Sequence, residues 1–377
     1  AAPTDTANHT VYCRVNNTAY ASAVRNSTYT ADSTPPATSI ISVAGQTSAP
    51  YYDNVNDGWT NISVSGESGM SCKWSTSDIA YSAMTNGCTV SGTTALCSPS
   101  GYGQGAQNFY LACADSLGNG QNSTQNLDVA VTLDWTAPTT TDNSTTAFAL
   151  PGYIVNISEA DNLFTAPLIE TKYCISPPSA VDCTPDNSID NGQILNFTTR
   201  GQNVFRYNSS DPAGNIQAIQ NKTVNIKRLP IFNSAADNVT MIKGGSGVLV
   251  ATNSADPDGQ LLRLIICNST SVVNANCVDR IYCTNTTASA NSSCSWGSES
   301  DDTTHVWYAF LFDMFNESAT ASFSGNYTTD STAPTITINS PANTTYAYTF
   351  VSADITLNQD ASSAWYSLNG TANVTLS

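Results

Sequence analysis

The chain has 377 residues, a formal net charge of −17 and only 11% charged residues. Its twelve lysines and arginines cannot form the basic patches that phosphate backbones and anionic membranes require, which argues against both as partners. No apolar run approaches the roughly 18 residues of a membrane span, and no signal peptide is visible. The polar surface must therefore come from Ser, Thr and Asn.

The first predicted elements resemble the end of a domain rather than its beginning. The stretch HTVYCRVNNTAYASAVRNSTYTADSTPP contains an alternating strand, a polar turn, a second strand and a proline stop. Three later stretches follow the same plan and end at Pro138, Pro230 and Pro334. Two of them contain Asp-x-x-Gly-Asn, which suits a tight turn. Because Pro cannot join a central ladder, each closing proline predicts a boundary between repeats.

A second shared element, a strand with an aromatic residue, lies in the middle of the repeats. It reads CKWSTSD, TKYCISP and AWYSLNG in turn. No segment has a sustained helical period, whereas short alternating runs recur between turn signals. Several short strands in units of about 90–105 residues predict β-sandwiches. The aromatic residues predicted to fill their cores are Trp74, Tyr173 and Trp365 or Tyr366.

The repeats resemble the immunoglobulin-like repeats of archaeal and bacterial cell-surface and filament proteins. The resemblance is carried by DSTAPTITINSPANTTY at 330–346, AWYSLNGTANVTLS at 364–377, CKWSTSDIAYSAM at 72–84 and ACADSLGN at 112–119. It implies an all-β fold of tandem immunoglobulin-like sandwiches in a linear array at the cell surface, and it specifies no activity. Segment 230–333, with ATNSADPDGQLLRLIIC, departs most and is closer to PKD-like or cadherin-like variants.

The boundaries predict three complete domains between two halves of a split domain. Residues 1–34 are expected to be the last strands of a sandwich, and residues 335–377 the first strands. Each half alone leaves an apolar face uncovered, which is not expected to be stable in water. The halves of consecutive units are therefore expected to combine head to tail, either between identical subunits or between covalent neighbours in a longer array. The complete domains are predicted at 35–137, 138–229 and 230–334.

Ten of the eleven cysteines fall into pairs, a pattern suited to an oxidising environment. Cys72 and Cys113 are predicted to link the two sheets of one domain, which leaves Cys13 without a partner. The other predicted disulfides lie within single domains, and the connectivity of the last four cysteines stays open because they allow three pairings. These cysteines are Cys88 with Cys97, Cys174 with Cys183, and the group Cys267, Cys277, Cys283 and Cys294.

Nineteen Asn-x-Ser/Thr triplets predict a surface with N-linked glycans. Composition alone accounts for about ten of them, so the excess carries the prediction. Glycans would also supply the hydration that charge does not. The candidate asparagines are Asn8, Asn16, Asn26, Asn61, Asn122, Asn143, Asn156, Asn196, Asn208, Asn221, Asn238, Asn268, Asn285, Asn291, Asn316, Asn326, Asn343, Asn369 and Asn373.

No catalytic constellation is present, so the chain is not predicted to be an enzyme. The two histidines, His9 and His305, align in separate repeats and are expected to be surface residues at strand edges. Two histidines and no CxxC motif argue against zinc. Calcium is the one ion with candidate ligands, Asp256 and Asp258, and Asp53 and Asp57 form a similar loop. Both loops are weighed against ordinary turn residues. No other cofactor is expected.

These features predict an extracellular structural protein that forms a cell-surface filament or stalk. The alternative is an adhesin or an S-layer-associated binding protein built of the same repeats. An adhesin would need an aromatic-rich binding domain, for which segment 51–110 is the nearest candidate, with Tyr51, Tyr52, Trp59 and Tyr102.

Overall fold

The computed structural model describes residues 8–177 and 183–376. It divides into two compact units, Ala1–Ile226 and Lys227–Ser377, which are described separately below. The two helical elements are single 3₁₀ turns, Tyr81–Ala83 and Ala166–Leu168. None of the described residues belongs to a helix that is long and apolar enough to span a membrane.

The first unit begins with an isolated hairpin and continues into a complete sandwich. The hairpin consists of β1 (Asn8–Cys13) and β2 (Arg25–Thr30), which pair antiparallel. The sandwich strands are β3 (Ser39–Val43), β4 (Tyr51–Asp53), β5 (Ile62–Ser65), β6 (Ser71–Ser75), β7 (Asn86–Gly87), β8 (Thr89–Ser91), β9 (Thr94–Cys97), β10 (Gly105–Ala114) and β11 (Leu127–Leu133). One sheet has the order β3-β5-β9-β8 and the other β4-β11-β10-β6-β7.

A second sandwich completes the first unit. Its strands are β12 (Thr139–Asp142), β13 (Tyr153–Ala160), β14 (Glu170–Ser176), β15 (Asn187–Ile189), β16 (Ile194–Phe197), β17 (Gly201–Ser210) and β18 (Gln220–Ile226). The sheets have the orders β12-β13-β16 and β15-β14-β17-β18. In β17 every second residue is buried, which is the period of a strand that presents one face to the core.

The second unit contains the third sandwich. Its strands are β19 (Ile231–Asp237), β20 (Met241–Lys243), β21 (Gly247–Ala255), β22 (Leu262–Cys267), β23 (Val272–Val273), β24 (Asn276–Cys277), β25 (Ile281–Ala288), β26 (Ser293–Gly297), β27 (Thr304–Phe312) and β28 (Phe323–Asp330). The sheets have the orders β19-β21-β26 and β20-β28-β27-β22-β25, and β23 pairs with β24.

Two further hairpins follow the third sandwich. Strands β29 (Ile336–Ser340) and β30 (Asp354–Leu357) form one antiparallel pair, and β31 (Ala364–Tyr366) and β32 (Val374–Leu376) form another. Each is a two-stranded sheet, with no third strand among the described residues.

The three sandwiches share one immunoglobulin-like topology of two sheets whose strands pair mainly antiparallel. In the first and third, a short early strand pairs in parallel with the last strand, β4 with β11 and β20 with β28. The sequence departure of segment 230–333 is therefore not matched by a different strand order. Insertions such as the β23–β24 hairpin account for part of it.

The cores are aromatic, and the predicted central strands contribute to them. The rings of Trp74 and Phe109 meet edge to face at 5.9 Å, and those of Tyr173 and Phe205 lie 6.4 Å apart. Trp74 and Tyr173 are nevertheless only partly buried. Trp365 and Tyr366 differ from the prediction, since they are 59% and 42% exposed on the β31–β32 hairpin.

Five disulfides join the ten paired cysteines. Cys72 and Cys113 sit directly opposite each other on β6 and β10. The predicted link between sheets is therefore wrong in one respect, because this bond joins neighbouring strands of one sheet. The remaining bonds are Cys88–Cys97, Cys174–Cys183, Cys267–Cys277 and Cys283–Cys294, and among the described cysteines Cys13 is unbonded and exposed.

We expect Gly325→Ala to destabilise the third sandwich by about 1–3 kcal/mol through overpacking. A Cβ at Gly325 would lie 2.5 Å from Cζ2 of Trp307, a fully buried ring whose Nε1 donates to Asp237 at 2.7 Å. Urea unfolding followed by tryptophan fluorescence measures the change. Gly297→Ala, where a Cβ meets nothing within 4 Å, is the control. Equal stability of the two variants would contradict the prediction.

Candidate functional site

The isolated hairpin β1–β2 repeats the last two strands of the third sandwich. His9 pairs with Tyr29 in its register, as His305 pairs with Tyr327 in β27–β28. The ring centroids are 5.5 Å apart in the hairpin and 5.4 Å apart in the sandwich, with interplanar angles of 33° and 31°. The hairpin therefore has the geometry of the final two strands of an immunoglobulin-like domain.

The face that would point into a core is exposed in this hairpin. In the third sandwich Trp307 and Tyr327 are 1% and 0% exposed. The residues in the same register positions of the hairpin, Val11 and Tyr29, are 47% and 41% exposed. Val15, further along, is 75% exposed. An apolar sheet face thus lies open at residues 8–30.

The hairpins after the third sandwich leave a second apolar face open. Ile336 stands two positions after Pro334, as Phe232 stands two positions after Pro230. Phe232 is 6% exposed in the third sandwich, whereas Ile336 is 54% exposed. These hairpins thus resemble the opening strands of a sandwich. Further exposed apolar residues on them are Ile338, Tyr348, Phe350, Val351, Trp365, Leu368 and Val374.

Both histidines are the second residue of their strand, and both are partly buried. His305 is partly buried, and its Nε2 lies 2.8 Å from Oδ1 of Asp301. Its ring packs on Tyr327, whose hydroxyl donates to Glu299 at 2.6 Å. The hydrogen bond with His305 is the main cause that lowers the pKa of Asp301. These contacts form a polar network at one end of the sheet.

The predicted calcium ligands Asp256 and Asp258 bind a lysine instead. The Lys227 ammonium is fully buried and lies 3.7 Å from Asp256, 3.3 Å from Asp258 and 3.4 Å from Asp313. It also donates to Oε1 of Gln260 at 2.8 Å. The Lys227 ammonium lies between the carboxylates of this loop, which favours the turn-residue alternative over calcium at Asp256 and Asp258.

These charges support one another electrostatically. Burial alone would raise the pKa of Asp258. Hydrogen bonds from the backbone and side chain of Arg228, together with Lys227, outweigh burial and hold that pKa below its usual value. Asp53, the first residue of the other loop considered for calcium, accepts hydrogen bonds from Thr60 and Val55.

Segment 51–110 uses most of its aromatic residues for packing. Tyr102 meets Trp74 and Phe109 at 6.4 Å and 5.1 Å, and Tyr52 meets Phe164 at 5.8 Å. Trp59 is 53% exposed beside a cavity of about 30 Å³. That volume holds about one water molecule. A larger depression of about 480 Å³ on the same sandwich is lined in part by Tyr51 and Tyr52.

The candidate glycosylation sites lie on the surface. None of the nineteen asparagines is buried, and all except Asn208 and Asn285 are exposed. Glycan attachment at these positions stays a prediction.

The fold defines a repeat protein of tandem immunoglobulin-like sandwiches, each with at least one internal disulfide. No family model and no curated protein matches the chain. Among solved structures, an I-band fragment of titin is 10% identical, with 73% of this chain and 93% of that chain covered and a TM-score of 0.36. The ICAM-5 ectodomain fragment is 9% identical, with 91% of both chains covered and a TM-score of 0.32. These likenesses concern architecture alone.

The sequence-based predictions missed the importance of one position near the end of the last strand of each repeat. It holds Asp32, Asp134, Lys227 and Asp330. In the first two cases the backbone carbonyl accepts a hydrogen bond from an Asp-x-x-Gly-Asn turn of the following sandwich, at 3.0 Å from Asn119 and 2.8 Å from Asn215. The sequence did contain a signal for this position, because three repeats have an aspartate there and one repeat has a lysine.

Proposed function

We propose that this protein is an extracellular structural subunit, or one segment of a longer array, that joins head to tail through a sandwich shared between consecutive units. The observation that carries the proposal is the pair of open apolar faces, one on the β1–β2 hairpin and the other on β29–β32. The first has the form of closing strands and the second the form of opening strands. The two are complementary parts of one fold.

Two physical arguments favour the pairing of the two open faces. A two-stranded hairpin is marginally stable by itself in water, and an exposed strand edge is a template for pairing with another chain. Completing the sandwich would bury about 1,500–2,500 Å², the scale of a stable protein–protein interface. Because the two surfaces differ, the contact is heterologous, and repeated addition gives a filament instead of a closed dimer.

The surface chemistry supports an extracellular setting. Five disulfides are typical of proteins from oxidising compartments. N-linked glycans on the exposed asparagines would hydrate a surface that has few charges. We assign no catalytic role, and the packed aromatic residues of segment 51–110 favour a structural role over an adhesive one.

We expect Val11→Asp to abolish assembly, because it would bury an unpaired charge in the shared core. Tyr12→Asp is the matched control, since the adjacent residue faces the opposite side and is 68% exposed. Negative-stain imaging should show filaments for the unchanged protein and for Tyr12→Asp. It should show dispersed particles for Val11→Asp.

A denaturing gel separates the two modes of joining. Separate subunits should run as single chains after boiling, whereas covalent neighbours should give a very large band. Filaments formed equally well by Val11→Asp would contradict the proposal, as would a monomeric unit whose own two open faces cover each other.

A further inference from the structure

Three carboxylates meet where the first and second sandwiches join. Asp134 follows β11 directly, Asp161 follows β13, and Asp211 follows β17. One oxygen of each lies within 4.8 Å of the others. None of the ion pairs in the described part of the chain involves these three residues. The cluster thus gathers negative charge without a protein cation to balance it.

The hydrogen bonds orient the cluster. Oδ1 of Asp161 accepts from the backbone amides of Leu163 and Phe164, both at 2.8 Å. Oδ1 of Asp134 accepts from the amide of Thr136 at 3.1 Å. The second oxygens of Asp134 and Asp161 are buried and have no hydrogen-bond partner among the described residues.

Asp134 is the sharpest anomaly. Asp134 is 0% exposed, although an ionised carboxylate with an unpartnered oxygen is costly to bury. Burial, followed by the nearby Asp161 and Asp211, raises its pKa. A bound cation would account for both the orientation of the free oxygens and this buried charge.

The third sandwich shows a cation in the equivalent place. Asp256 follows β21 as Asp161 follows β13, and Asp313 follows β27 as Asp211 follows β17. Oδ1 of Asp256 also caps backbone amides of its own loop, while Oδ2 faces Lys227. Lys227 stands at the position of Asp134, directly after the last strand of a sandwich. Two equivalent clusters therefore differ in whether the chain supplies the positive charge.

We propose that Asp134, Asp161 and Asp211 bind a calcium ion, which does at this junction what the Lys227 ammonium does in the third sandwich. Calcium binds oxygen at about 2.3–2.6 Å, so two ligands of one ion stand at most about 5 Å apart. The three carboxylates meet this limit. The anchored Oδ1 atoms of Asp134 and Asp161 leave their second oxygens for the ion. Asp211, whose two oxygens accept from Asn215 at 3.0 and 2.9 Å, would contribute a remaining lone pair. Magnesium, with bonds of about 2.0–2.1 Å, requires a tighter set.

The ion would tie the end of one sandwich to two loops of the next. Asp134 belongs to the connection between the sandwiches, whereas the other two ligands belong to the second sandwich. Calcium would therefore stiffen the connection and stabilise the second sandwich. This inference is independent of the proposed head-to-tail assembly, since all three ligands belong to the same chain, in its first compact unit.

The full chain, stripped with a chelator and titrated with calcium chloride in a calorimeter, tests the site. We expect binding that Asp134→Asn and Asp211→Asn each weaken at least tenfold. Asp128→Asn, on the exposed face of β11, should bind as the unchanged protein does. Calcium at about a hundred times its dissociation constant should raise the melting temperature of the unchanged protein by about 5–10 °C.

The variant Asp134→Lys distinguishes a loss of calcium binding from a failure to fold. It imitates the third sandwich, so we expect a folded protein with an unchanged near-ultraviolet circular dichroism spectrum. Its melting temperature should no longer respond to calcium and should exceed that of the stripped unchanged protein. The proposal is overturned if the unchanged protein shows no calcium-dependent heat or melting shift. It is also overturned if folded Asp134→Lys binds calcium as well as the unchanged protein.

Discussion

Lys227→Met is expected to destabilise the third sandwich by about 3–5 kcal/mol, the usual cost of removing one partner from a buried ion pair. The ammonium is fully buried and lies within 3.7 Å of three carboxylates. Methionine keeps much of the side-chain volume but leaves these carboxylates without their balancing charge. The loss of stability should therefore come from the unbalanced charges and not from a packing defect.

Urea unfolding followed through the tryptophans of this sandwich measures the effect. Lys243→Met, at an exposed position of β20, is the matched control and should change stability by less than about 0.5 kcal/mol. Adding Asp256→Asn and Asp313→Asn to Lys227→Met should restore part of the loss, because the uncompensated charges are then removed. Equal stability of the Lys227 and Lys243 variants would refute the electrostatic account.

Replacing both Cys72 and Cys113 with alanine is expected to cost the first sandwich about 4 kcal/mol. The bond closes a loop with a sequence separation of 41, and the chain-entropy relation gives about 4 kcal/mol for a loop of this size. The bond joins β6 to β10 and therefore holds together residues far apart in the unfolded chain. Truncating two buried side chains adds to the loss.

The disulfide Cys88–Cys97 provides an internal comparison. Its sequence separation is 9, for which the same relation gives about 2.6 kcal/mol. Thermal and urea unfolding of the two alanine pairs should therefore rank the Cys72 and Cys113 variant as the less stable. The reverse order would show that strain or residual structure in the unfolded state, instead of loop length, sets these contributions.

The sequence by itself determined the repeat and its strands. Alternating runs, closing prolines and Asp-x-x-Gly-Asn turns are local signals, so they can be read without knowing the fold. The turns form as expected, with Oδ1 of Asp115 accepting from the amides of Leu117 and Asn119, both at 2.8 Å. The open faces at residues 8–30 and 335–376 also follow from comparison of the repeats, since the same pattern buries its apolar side elsewhere.

Only the tertiary structure decided which charges meet. Asp134 and Asp211 are 77 positions apart in the chain, and Lys227 and Asp313 are 86 apart, so local periodicity does not relate them. The sequence drew attention to Asp256 and Asp258 because they stand together in one acidic loop. The fold brought Lys227 between them, since a residue directly after the last strand of one sandwich enters the loops of the next. Burial then makes the pairing decisive, because an uncompensated charge costs far more in the protein interior than in water.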